Sequence, residues 1–487
     1  MDRAAAARKR TAVMIFSTPV FFAFFVVYFA LHFAVPRQHR LWLIIAGSTV
    51  FYAWWRVEYL WIPFVLMAIA CLGGRWIDRA KDPDRRWRHT AVAIAVLLLP
   101  LAIFKYTDFV YRDMFGPFFG IDHGLLNLPL PLGISFVSFT LTAYLVDIYR
   151  EVFSSEHRPK TILAYVLFFP HLIAGPILRP YELFPQLENP RAATLRGFAA
   201  PLSIFTLGLV KKLIFADQLA PMVTATYAQD TTSSALAALL AITGFAVQVY
   251  CDFSGYTDMA IGLAAMLGIR LPINFRRPYA ATSISSLWRR WHMTLMRCLS
   301  DYVYLPLSMM LARQAVRRRA GKWTMFLLAV VVPVNVTFLV SGIWHGAGWN
   351  FIVFGIFTGL AMTVEFAWRR ASLPKVPKAA AWVLTMLSFL VSLCFFRAHS
   401  PARAIDMMVA SIAGSWSAPG PFLAQNLFSI FLIAVFAATH CLDDHRLVRY
   451  AVRRTRPELT WAAIFFCWVI AIAVSQGSSG AFVYFDF

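Results

Sequence analysis

The chain alternates apolar runs with short polar connections. Apolar segments recur near residues 14–35, 41–55, 59–73, 91–111, 130–148, 161–178, 198–216, 235–252, 255–268, 324–344, 350–369, 379–396, 424–442 and 459–475. An untilted helix needs roughly 20 apolar residues to cross the hydrocarbon layer of a bilayer. Several segments reach that length and several fall short. Short ones are tolerated where a helix is broken, re-entrant or sheltered by neighbours, because unpaired backbone groups cannot face lipid. The pattern therefore predicts an all-α polytopic membrane protein of about 11 transmembrane helices, with additional re-entrant or interfacial helices.

The first run, Thr11 to Val35, is too long for the apolar core of a cleaved signal and lacks a small-x-small cleavage site, so it reads as a retained span. No repeat or soluble domain interrupts the series. The longest polar excursions, around Asp113–Asn127, Asn189–Gly197 and His399–Gln425, are too short for one. A single transmembrane domain over 14–487 is expected, preceded by an extension at 1–13.

Composition extends this picture to the whole chain, with 60% hydrophobic and 14% charged residues among 487. Lys and Arg outnumber Asp and Glu by 45 to 24, a formal charge of +21. In a soluble protein that excess would suggest nucleic acid. Here the cations fall in short loops such as Arg75–His89 and Ala312–Lys322, with no basic face interleaved with exposed aromatics, so they read as cytoplasmic loops facing anionic membrane lipid and no nucleic acid is expected. Six singly scattered cysteines make neither a disulfide framework nor a CxxC metal site and read as packing residues.

Candidate chemistry concentrates between Gln248 and Gly355. In SGIWHGAGWNF, Gly342, Gly346 and Gly348 surround Trp344, His345 and Trp349 at the end of an apolar run. Glycines there allow close helix contact or a backbone that approaches a ligand. An imidazole at that depth marks either a functional site or a helix-to-helix hydrogen bond. In LWRRWHMTL, Leu287, Trp288, Trp291 and Leu295 recur at helical spacing while Arg289, Arg290 and His292 fall elsewhere, which predicts an amphipathic interfacial or re-entrant helix. Its plain reading is an anchor, with Trp in the headgroup belt and Arg on phosphates. Asp252 and Asp258, in CDFSGYTD, suit catalytic acids, cation ligands or partners of the cluster Arg276, Arg277, Arg289 and Arg290; salt-bridge structure is expected, with support of the active site as a second role. His171, in FFPHLIAGPI, reads as a polar cap on a broken helix, and HCLDDHR, His440 to Arg446, as a solvated interface despite its metal-like residue types.

A histidine in such a site can deprotonate a hydroxyl as it attacks an activated acyl group. A thioester brings its own activation, leaving the protein to align the reactants, exclude water and supply a base. No GxSxG, P-loop or HExxH pattern supplies another engine. Intramembrane Asp, Arg and His also suit a transporter or flippase of lipid-linked sugars, but the paired broken repeats of such folds are not seen.

At these residues the sequence resembles the membrane-bound O-acyltransferase family, in particular its bacterial alginate O-acetylation branch. The matching pieces are FYAWW (Phe51 to Trp55), PLGISFVSFTLTAYLVDIYR, FFPHLIAGPILRPYELFPQ, CDFSGYTDMAIG, INFRRPY with LWRRWHMTL, SGIWHGAGWNF, FFRAHS and the terminal FVYFDF, in the family's order along essentially the whole chain. The resemblance implies that His345 is the catalytic histidine and general base, and that His292 is the second active-site position, orienting donor or acceptor. Trp288, Trp291, Arg289, Arg290, Asp252, Asp258, Asn335 and Trp344 are the candidate substrate-binding residues. The resemblance further implies a central tunnel, with donor entering from the cytoplasm and acceptor from outside. It implies a bacterial inner-membrane enzyme that takes acetyl-coenzyme A or another acyl thioester as co-substrate, with no permanently bound cofactor or metal. Its acetyl group would pass to an exported polysaccharide, directly or through a periplasmic SGNH-type acetyltransferase. D-alanyl transfer to teichoic acid is the alternative within the enzyme class.

With the N-terminus outside, the positive-inside rule places eight cations of Arg37–Arg40 and Arg75–His89 in the cytoplasm, against Arg56 and a group at Arg3, Arg8, Lys9 and Arg10. That opposing group lies wholly before Met14. Translation is therefore expected to begin at Met14, and the intact mass of the protein from its native locus should show it; a mature chain beginning at Met1 or Asp2 would reject this start.

Overall fold

The computed structural model describes residues 14–155, 159–189, 197–416, 420–476, 479–480 and 482–483. The extension at 1–13 and the last four residues of FVYFDF lie outside them. Helices account for nearly all the regular structure, and among the described residues nine are long and apolar enough to cross a membrane, beside two shorter apolar helices, Pro19–Ala34 and Ile134–Tyr149. The protein is thus an all-α, multi-pass membrane protein.

The chain packs as two units interleaved in sequence. One comprises the residues up to Leu209, Tyr256–Pro272 and those from Ala463 onward. Its core is aromatic: Phe51 lies against Phe16, Phe21 and Phe169 at 6.0, 6.1 and 5.5 Å between ring centroids. The expected short, broken helices occur here as Pro159–Leu167, Phe169–Leu172 and Pro180–Glu188. They are buried, and side chains collect the polar groups that breaking a helix exposes. Phe169 N–H donates to Ser48 Oγ at 3.2 Å, and Tyr165 O–H donates to the Leu178 carbonyl at 2.7 Å. The imidazole Nε2 of His171 donates to the carbonyl of Tyr165 at 2.7 Å, the capping role expected of it.

The other unit holds Val210–Gly255 and Ile273–Ala462. Its tightest element is a hairpin of two helices, Val332–His345 and Trp349–Arg370, the first continuing the span that starts at Lys322. Glycine sets their separation. A Cβ at Gly355 would lie 2.5 Å from the Phe338 carbonyl oxygen and 3.0 Å from Leu339 Cα, both backbone atoms that cannot step aside. Gly359 lies equally close to Asn335, whose side-chain N–H2 donates to the Val331 carbonyl at 2.9 Å and to Thr363 Oγ1 at 2.8 Å. Small residues thus bring the backbones together and a half-buried amide ties them, as packing between membrane helices favours.

This contact carries the end of the hairpin on which His345 sits. Gly355→Leu should separate the helices, lowering the thermal midpoint of the detergent-solubilised protein and its acyl-transfer activity, whereas Ile356→Leu on the exposed face should leave both near wild type.

Candidate active site

His345 is the last residue of the helix Val332–His345, and the next begins at Trp349. The turn between them is tight because Gly346 has no side chain: a Cβ there would overlap the Phe351 ring. His345 is buried, and its ring lies 4.9 Å from that of Trp344, 5.8 Å from Phe354 and 5.3 Å from Phe396. Its Nδ1 lies 2.6 Å from the carbonyl oxygen of Ser341. A carbonyl can only accept, so Nδ1 carries the proton and Nε2 is the lone-pair nitrogen of the neutral ring. That is the tautomer a general base requires.

His292 does not sit in a continuous amphipathic helix. The helix Ile284–Trp288 ends, the chain turns, and His292 takes a left-handed conformation, φ 43°, before the helix Met293–Leu299. Helical periodicity misleads here because a second segment captures the backbone. Met293 N–H donates to the Asn274 carbonyl at 2.8 Å and Arg276 N–H to the Arg290 carbonyl at 2.9 Å, so INFRR runs beside RRWHM. The break buries what a continuous helix would have left at the membrane surface. Trp288 and Trp291 are both buried rather than set in a headgroup belt. Trp288 packs on Phe338 and Phe354, and Trp291 on Tyr250 and Phe275. They form an aromatic wall beside the histidines.

His292 itself is 1% exposed and packs edge-on to Phe253 at 4.6 Å. Trp344 packs near both imidazoles, 6.2 Å from His292 and 4.9 Å from His345. Burial first, and the neighbouring His345 second, hold the pKa of His292 well below its ordinary value, so this ring is neutral at neutral pH.

The other candidates are distributed around this pair. Arg276 and Arg289 are exposed, and Arg277 and Arg290 are half-buried. Burial and then Arg277, Arg276 and Arg289 lower the pKa of Arg290, so the four guanidinium groups lie within one another's field. The carboxylate expected to serve this cluster serves another cation: Asp252 accepts from Lys212 at 2.8 Å, and Lys212 also pairs with Asp217 at 2.7 Å. Lys212 lies in a π-helical turn, Lys211–Ala216, and a π turn is a local irregularity often found near functional sites. Asp258, also buried, belongs to the unit that contains Tyr256–Pro272. Asn335 is ten residues before His345 on the same helix, about 15 Å along its axis, and is committed to the hairpin contact.

The HCLDDHR string is solvated only in part: Cys441, Leu442 and Arg446 are exposed, while its other residues are partnered. His440 is buried and accepts the Tyr279 N–H at 3.2 Å, and Asp443 accepts from Lys211 at 2.7 Å and from the Tyr250 hydroxyl at 2.5 Å. Asp444 lies 3.6 Å from Arg277, so the string clamps the segment that carries the arginines. Among the described residues no group of three or more His, Cys, Asp or Glu is arranged to hold a metal ion.

Two histidines on separate elements thus contact one indole, with aromatic walls around them. Comparison with known sequences decides the assignment: residues 135–403 match the membrane-bound O-acyltransferase family. The chain belongs to that family. It is 35% identical over 418 residues to a probable alginate O-acetylase of Azotobacter vinelandii, covering 83% of this chain and 79% of that protein. It is 34% identical over 438 residues to a peptidoglycan O-acetyltransferase of Helicobacter pylori, covering 82% and 80%. A teichoic acid D-alanyltransferase of Bacillus subtilis matches at 28% over 278 residues, 56% of this chain and 66% of that one. The protein is accordingly an O-acyltransferase, and its similarity to enzymes of alginate and peptidoglycan is consistent with a glycan acceptor.

Proposed function

We infer that the protein transfers an acetyl or similarly small acyl group from a cytoplasmic thioester, such as acetyl-coenzyme A, to a hydroxyl of an exported polysaccharide across the bacterial inner membrane. The observation that carries this reading is His345, buried and fixed by the Ser341 carbonyl in the tautomer whose Nε2 is basic. In the reaction the acceptor oxygen attacks the acyl carbon and Nε2 takes the hydroxyl proton. The carbon–sulfur bond then breaks, and the departing thiolate takes that proton back from the imidazolium. Ester and free thiol are the products. A neutral His292 orients donor or acceptor by hydrogen bonding, Trp288, Trp291 and Trp344 exclude water, and the arginine cluster draws the anionic donor to the site.

The first acceptor is the glycan itself or a periplasmic SGNH-type acetyltransferase that relays the group. Acetyl is favoured over D-alanyl because the acetyltransferase relatives match over most of this chain and the D-alanyltransferase over 56% of it. Asp252 supports the site through structure, by way of Lys212.

The O-acetyl ester content of exported and wall polysaccharides should fall in a deletion strain. Wild type should restore it, and His345→Ala, at equal membrane abundance, should not. Unchanged ester in the deletion strain would remove glycan acetylation from the account, and polysaccharide export lost along with ester in His345→Ala would favour a transporter.

A further inference from the structure

Asn274 is 1% exposed and belongs to neither motif that carries a histidine. Its Oδ1 accepts three donors: His292 Nδ1 at 3.2 Å, Thr294 N–H at 3.2 Å and Thr294 Oγ1 at 3.0 Å. Its carbonyl oxygen accepts a fourth, Met293 N–H. The orientation of the amide is fixed by Thr294, whose backbone N–H can only donate; with the amide turned over, two donors would face each other. The Nδ2 of Asn274 consequently has no acceptor among the described residues, although it is buried.

An orphaned buried amide costs about 1–3 kcal/mol. An aspartate at 274 would accept the same three donors and carry no N–H2. The chain holds the less satisfied of two nearly isosteric residues, and the physical difference that remains is charge. A carboxylate beside Nδ1 would stabilise the imidazolium of His292; a neutral amide oxygen holds the ring by hydrogen bonding and leaves it neutral.

We propose that Asn274 is a positioning residue for acyl transfer: it fixes His292 in its left-handed turn, in the Nδ1–H tautomer, and as a neutral ring whose Nε2 accepts a proton or hydrogen bond from substrate. This rests on the reading of His292 as a residue of the acyl-transfer site. The elements packed around the ring contribute few other charges. The helix Ala235–Met266 contributes Phe253, with Asp252 beside it already held by Lys212. The helix Val332–His345 contributes Trp344 and the titratable His345. The segment around Asn274 contributes Phe275 and, further on, Arg276 and Arg277, while Arg289, Arg290 and Arg297 lie on the ring's own segment.

The test is the pH profile of acyl transfer in Asn274→Asp against wild type, together with 15N NMR of imidazole-labelled protein, the His292 signals assigned by their loss in His292→Gln. Raising the pKa of His292 makes it cationic at neutral pH, so the acidic limb of the activity profile should move up by about 1–3 pH units and activity should return in alkali. Wild-type His292 should show the neutral Nδ1–H tautomer at pH 7, and Asn274→Asp the imidazolium. Activity reduced by one factor at every pH, or a wild-type Nε2–H tautomer, would overturn the proposal. Failure of the acyl-transfer reading would appear separately, as ester content unchanged by deletion of the protein. Should Asn274→Asp fail to fold, Asn274→Gln and the wild-type tautomer measurement still decide: the longer amide should displace His292 and change its ring signals, and unchanged signals would overturn the proposal.

Discussion

A backbone that breaks inside an apolar interior must find partners for every amide it frees, and the site depends on that constraint being met at His292. The break turns the ring inward and buries both tryptophans of the WRRWH motif. It persists because INFRR runs alongside and accepts the Met293 and Thr294 amides through one residue, Asn274. The glycine-spaced hairpin meets the same constraint differently. It keeps its helices regular up to His345 and then turns within three residues, where Gly346 lets Phe351 lie against the chain. One histidine is positioned by a broken helix and the other by a helix end.

Much of this was legible in the sequence, and what was not has a physical reason. Apolar runs gave the helices because a span must satisfy its own backbone, and the short runs at 161–178 fold as buried half-helices. The spacing of WRRWH and GIWHGAGW marked the two histidines that the fold brings to Trp344. Periodicity could not show that LWRRWHMTL is broken, because the cause lies in hydrogen bonds from a segment nearly twenty residues away. The same limit hid the partner of Asp252. Nearby arginines suggested themselves, but the cation is Lys212, forty residues earlier, and only packing selects it. Asn274 left one faint signal, a polar residue between Ile273 and Phe275 in a matching segment. HCLDDHR read as solvated from its place at a span's end, and part of it is, but sequence could not show that Lys211, Tyr250, Tyr279 and Arg277 hold His440, Asp443 and Asp444.

Charge and burial divide the labour. Four guanidinium groups lie within one another's field at one end of the paired segments, while the other end carries His292 with its Nδ1 on a neutral amide oxygen. On the proposed reading, such a gradient would draw an anionic thioester toward the site without placing a fixed countercharge beside the reacting atoms. Both imidazoles engage Nδ1 with an oxygen, His345 with a carbonyl and His292 with an amide, so both present Nε2 as the basic nitrogen. His345, at the end of the turn, is the proton acceptor in this account, and His292 supplies orientation.

The most direct test of that division is the rate at which membrane vesicles holding the complete machinery move labelled acetyl from acetyl-coenzyme A into alkali-labile ester on glycan. Loss of a general base predicts that His345→Ala, folded and present at wild-type abundance, falls by about 10²–10⁴-fold; a rate equal to wild type would contradict the assignment of His345 as the base.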